Sequence, residues 1–85
     1  MQFTFPEIDQ NRSHSVEHYS QHIIEEVREF EAEENLEKKA MECLDVLHSA
    51  ETLVRKFFAA NPSLSIEVAI DMVQLKNYAR GYYSK

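Results

Sequence analysis

The sequence predicts an all-α fold: an antiparallel helical hairpin, a third helix, and assembly into an oligomeric helical bundle. Three observations predict it. The 85 residues contain one Gly and two Pro, and such scarce punctuation favours long helices. Apolar residues recur at steps of three and four along three stretches, which places them on one helix face. Short polar breaks carrying helix-capping residues separate the stretches.

The elements follow in order. Residues 1–12 hold Phe3, Phe5, Pro6 and Ile8 without a period, and read as an extended arm whose aromatics can pack. Ser13 or Ser15 can cap a first helix, because a hydroxyl accepts a bond from an orphan N–H of the first turn. Val16, Tyr19, Ile23, Val27 and Phe30 form its stripe, which runs to about Glu34. Asn35 is the expected break and the next N-cap. A wider stripe follows: Leu36, Ala40, Cys43, Leu44, Leu47, Ala50, Val54, Phe57 and Phe58. This second helix should stop near Ala60, since Pro62 disfavours helical geometry in Asn61. Ser63 or Ser65 can cap a third helix bearing Ile66, Ala69, Ile70 and Val73, with an end near Gly81.

The link between the first two helices is so short that they must run antiparallel. Helix 2 is apolar around more than half its circumference, which one neighbour cannot cover. The expectation is a homodimer or homotetramer. The alternative is a three-helix monomer with helix 2 at its centre. All 85 residues form one domain on this reading.

Composition excludes several classes. The net charge is −6 and the pI is near 5.1, so a duplex nucleic acid is not an expected partner. No apolar run approaches the roughly 20 residues that cross a bilayer, so no membrane association is expected. The start, MQFTFPEIDQNR, has neither a basic nor an apolar stretch of the secretory kind. Cys43 is the lone cysteine. It reads as a small core residue, and one unpaired thiol suits a reducing, cytoplasmic setting.

The chemistry-bearing feature is a set of carboxylates. Glu26 and Glu29 on helix 1 are i, i+3 neighbours and share a face, as do Glu42 and Asp45 on helix 2. Measured from the turn at 1.5 Å per residue, the two pairs differ in height by only about 3 Å. Helices packed about 8–10 Å apart can point all four carboxylates at one spot. Such a cluster demands protons or a cation. The hard, oxygen-preferring choice is Mg²⁺, with Mn²⁺ as its substitute. Glu42 and Asp45 lie nearly opposite the apolar stripe of helix 2, with Ser49 between them. A polar cleft and a solvated acidic face both fit that placement, and spacing alone leaves both open.

Histidines add a weaker signal. His14, His18 and His22 repeat at i, i+4, a spacing that can chelate a transition metal or simply line a polar flank. His22 stands one turn before Glu26 and is a candidate substrate contact. His48 reads as structural. There is no P-loop and no Cys–His arrangement.

Two segments carry a resemblance. E-E-V-R-E at residues 25–29, a gap of 12 residues, then E-C-L-D at 42–45, resembles the E-E-x-x-E…E-x-x-D signature of the MazG-like, all-α nucleoside triphosphate pyrophosphohydrolase superfamily. The match covers about residues 16–58. Lys76-Asn77-Tyr78-Ala79-Arg80 is similar to the K-N-x-x-R stretch that follows the third helix in many members. The resemblance implies a Mg²⁺-dependent enzyme that cleaves a nucleotide substrate to the monophosphate and pyrophosphate, as a dimer or tetramer. It implies Glu26, Glu29, Glu42 and Asp45 as metal ligands, and Glu25 as a residue that orients water or holds a second metal. Lys76 and Arg80 would hold the phosphate chain, and Asn77 would bond phosphate or sugar. The chain departs from larger members in lacking a fourth helix and any Trp to stack on a base. Phe3, Phe5, Tyr19 and Tyr83 are the aromatics available for that task, or for core and interface. A non-catalytic helical oligomer and a phosphoribosyl-ATP pyrophosphohydrolase are the competing readings.

Overall fold

The computed structural model describes residues 5–7 and 15–83. Expectations for Phe3, Ile8, Ser13 and His14 lie outside those residues. The described part is all-helical: α1 is Val16–Ala32, α2 is Leu36–Ala60 and α3 is Ile66–Ala79. No described residue is in a strand.

Capping chemistry sets the boundaries. Ser15 Oγ accepts from His18 N–H at 3.1 Å and opens α1. The helix stops at Ala32, two residues before the expected Glu34, and the Glu33 N–H donates back to the Glu29 carbonyl. Glu33 is already extended, and its carboxylate accepts from the Asn35 N–H at 3.1 Å. Asn35 Oδ1 then accepts from the Lys38 N–H at 3.0 Å and starts α2. These two side chains fix a tight turn, and α1 packs along α2 as the antiparallel partner. Lys39 reinforces the corner, with its Nζ 4.4 Å above the Phe30 ring.

The interior of the hairpin lies on the polar side of α2, contrary to the simplest reading of its stripe. Ser49 and Thr52 are the buried residues of α2, and Tyr19 is that of α1. At 100° per residue Ser49 and Thr52 sit about 140–160° around α2 from Leu47 and Val54. The apolar stripe therefore faces away from α1: Leu36 is 81% exposed, and Leu44, Leu47, Val54 and Phe57 are also exposed. Cys43 belongs to that outer face and is exposed, so it is not a core residue of this chain. The Thr52 hydroxyl meets the cost of its burial by donating to the His48 carbonyl at 3.0 Å.

The arm packs where residues 5–7 cross α2. Phe5 N–H donates to Glu51 Oε1 at 3.0 Å, and Arg55 donates to the Phe5 carbonyl at 3.1 Å. Glu51 and Arg55 are themselves paired at 3.0 Å. The Phe5 ring stacks on His48, with centroids 4.7 Å apart. His48 is structural, as expected.

Ser65 caps α3 by accepting from Val68 N–H. The far end is a Schellman turn: Gly81 has φ 78°, its N–H meets the Tyr78 carbonyl, and Tyr82 N–H meets the Asn77 carbonyl. The positive φ explains why the single glycine stands there. α3 does not pack substantially on α1 or α2, so in one chain the bundle consists of the hairpin alone. No helix of the described residues is long and apolar enough to cross a membrane.

Candidate metal centre

α1 and α2 bring three of the four expected carboxylates together. Glu26 and Glu29 project from α1 and Glu42 from α2, each offering an oxygen within 4.8 Å of the others. The height match across the short turn produces this convergence, because the interhelical space at that level is lined by acids rather than by leucines. Asp45 lies outside the group and is exposed, although its charge still acts on Glu26 and Glu42.

Glu26 is the most enclosed of the acids whose ion pairs are defined, with 13% of its side chain exposed. Its Oε1 pairs with His22 Nε2 at 2.9 Å, while His22 Nδ1 reaches Glu25 Oε1 at 3.5 Å. The histidine thus engages both glutamates from one turn away. Glu26 Oε2 is buried with no hydrogen-bond partner, and Glu42 Oε2 is in the same position. Buried polar atoms are normally satisfied, so these two carboxylate oxygens stand out as exceptions.

Burial pushes the Glu26 carboxyl above its ordinary value, the negative charge of Glu29 pushes it further, and His22 opposes both. Glu42 is raised by burial, then by Glu29, Asp45 and Glu26, and by a hydrogen bond with Glu29. The metal-free site holds protons more tightly than free glutamate does. An all-oxygen, acidic donor set with unsatisfied lone pairs fits a hard divalent cation. It offers no soft ligand for a thiophilic metal.

The other expected residues lie elsewhere. Lys76, Asn77 and Arg80 are on or just past α3, which is not packed on the hairpin. Lys76 lines a shallow groove with Ala69, Met72 and Val73. Asn77 Nδ2 donates weakly to the Tyr83 hydroxyl at 3.5 Å. Arg80 is the C-cap of α3. Of the aromatics, Tyr19 is buried in the hairpin and Phe5 is stacked on His48, leaving Tyr83 exposed.

Sequence reasoning missed the clasp of Glu51 and Arg55 on Phe5. Their i, i+4 spacing was a visible signal of a pair, but nothing local reveals a contact with a residue about fifty positions earlier. Comparison with protein-family models, curated proteins and solved structures returned no match.

Proposed function

We propose that this chain is a Mg²⁺-dependent nucleotide pyrophosphohydrolase of the MazG-like, all-α type. It cleaves a nucleoside or deoxynucleoside triphosphate, or a related nucleotide, to the monophosphate and pyrophosphate. One observation carries the reading: carboxylate oxygens of Glu26, Glu29 and Glu42 lie within 4.8 Å of one another, and buried oxygens of Glu26 and Glu42 lack any partner. The motif at 25–29 and 42–45 supports it independently of the geometry.

Glu26, Glu29 and Glu42 hold the cation in this reading, and Asp45 joins from the rim of the site. A bound Mg²⁺ supplies neutralisation of phosphate charge and acidification of an attacking water. The protein's own groups do the remainder. His22 fixes one oxygen of Glu26, which leaves the other free to ligate. Glu25, whose Oε1 lies 3.5 Å from His22 Nδ1, orients water or holds a second metal in this reading. Lys76 and Arg80 bind the phosphate chain, and Asn77 bonds phosphate or sugar, which requires α3 to meet a carboxylate site in the working assembly. Self-association, expected from the breadth of the α2 stripe, is part of this reading.

The test is pyrophosphate release from a panel of NTPs and dNTPs with Mg²⁺ or Mn²⁺. Release from at least one member, arrested by EDTA and lost in Glu42→Ala, is the expected result. Full activity in Glu42→Ala, or no release from any member by the folded protein, defeats the proposal.

A further inference from the structure

We propose that a groove on α3 binds a small, free alkylated ammonium ion, with the Tyr78 and Tyr83 rings as its π walls and the Asp71 carboxylate as its counter-charge. The groove lies apart from the carboxylate centre of the hairpin, and nothing in it depends on the pyrophosphohydrolase reading.

Residue types are sorted around α3. At 100° per residue, Glu67, Asp71, Gln74 and Tyr78 lie within about 60° of one another. Lys76 and Arg80 sit about 140° and 180° around the axis from Asp71. The apolar strips Ile66–Ile70–Val73 and Val68–Met72–Leu75 fill the sectors between. The acidic side of α3 is therefore the one that its basic residues do not neutralise. Covering the two apolar strips leaves the centre of that side open to solvent.

The chain reversal after α3 supplies the second wall. Gly81, at φ 78°, ends the helix in its Schellman turn. Tyr83 comes back beside the helix, where its hydroxyl meets Asn77 Nδ2 at 3.5 Å. Asp71, Gln74, Leu75, Tyr78 and Tyr83 then line an open groove of about 630 Å³. Tyr78 is 73% exposed and Tyr83 48%, so both rings are available to a ligand. Among the described residues lining the groove, Asp71 carries the only formal charge. Glu67 adds a second one turn earlier on the same side.

Such a lining selects a cation. The face of a tyrosine ring is the negative pole of its quadrupole and attracts a cation within about 6 Å of the ring centroid. The carboxylate adds Coulomb attraction. An anionic ligand meets the opposite field, and the net charge of −6 opposes it further. Exposure selects alkylation. A primary ammonium is strongly hydrated and gives up that water for few acceptors in an open groove. A methylated head holds water weakly and sets its methyl groups against Leu75 and the two rings.

Choline chloride is the probe, and 3,3-dimethylbutan-1-ol, its uncharged carbon counterpart, is the control. Each is titrated into the full chain at constant ionic strength and followed by amide NMR. Choline should bind at roughly millimolar concentration and move the signals of residues 71–83, with the alcohol about fivefold weaker or worse. Tyr78→Leu and Tyr83→Leu should each weaken choline about two- to fivefold. Asp71→Asn should weaken it and reduce its salt dependence. Tyr78→Phe keeps the π face and should bind as the wild type does. Circular dichroism checks that each variant is helical. Equal binding of choline and the alcohol, shifts confined to α1 and α2, unchanged affinity in both Leu variants, or no shifts up to about 50 mM choline overturns the site. A trimethyllysine peptide that binds about tenfold tighter than choline, or about 1.4 kcal/mol, overturns the assignment to a free ion.

Discussion

Replacing Glu26 by Gln should make the metal-free protein more stable and the metal-loaded protein less so. The substitution keeps the shape of the side chain and removes one negative charge beside Glu29 and Glu42. Two unit charges about 4.8 Å apart repel by roughly 0.9 kcal/mol in water and about 3.5 kcal/mol at an effective dielectric of 20. Glu29 is exposed, so the lower end applies once solvent screening is included. The lost charge on the 2.9 Å contact with His22 offsets part of the gain. The net expectation is about 0.5–1 kcal/mol in favour of the variant without metal, or ~2–8 °C in Tm for a domain of this size. The proposed cation site makes magnesium reverse that order. At a concentration ten times its Kd, a ligand of the folded state adds about 1.4 kcal/mol, and only the wild type gains it in full. Thermal unfolding of both proteins in EDTA and across a Mg²⁺ series reads the crossing directly. A variant that is less stable in EDTA, or that gains as much from Mg²⁺ as the wild type, refutes the claim that these acids repel one another around a cation site.

Three further outcomes are expected. The carboxyls of Glu26 and Glu42 are raised from their ordinary 4.5; a raised folded-state value contributes stability that is full below 4.5 and is lost as pH climbs through the raised value. Metal-free protein should therefore lose stability from pH 4.5 upward, and Glu26→Gln/Glu42→Gln should flatten that slope in urea titrations; an unchanged slope counts against the site electrostatics. Glu51→Ala removes the acceptor of the Phe5 N–H and the partner of Arg55, so hydrogen exchange at the Phe5 amide should accelerate at least tenfold while α1 amides keep their protection. Asn35→Ala deletes the α2 cap at the corner of the hairpin and should cost about 1 kcal/mol, seen as a lower urea midpoint with an unaltered m-value.

The helices were legible because their determinants are local. Ser15, Asn35 and Ser65 sit where a side-chain oxygen is needed for orphan N–H groups, and each performs that task. The level of the carboxylates was legible as well, since a three-residue corner fixes the register of two rods with a known rise. Asp45 shows the limit of that reasoning: it shares a helix face with Glu42 by spacing, but its side chain stays at the exposed rim. α1 ends early, at Ala32, and the extended Glu33 beyond it accepts from the Asn35 N–H.

Sequence alone determined the helix count, their caps, the antiparallel hairpin and the candidate acids, because hydrogen-bond capping and periodicity act over a few residues. Only the tertiary structure decided which side of α2 meets α1, that Phe5 is clasped by Glu51 and Arg55, and that α3 stands uncovered. Those outcomes depend on which surfaces meet across long stretches of chain. An apolar stripe announces that it must be covered; it does not encode by what.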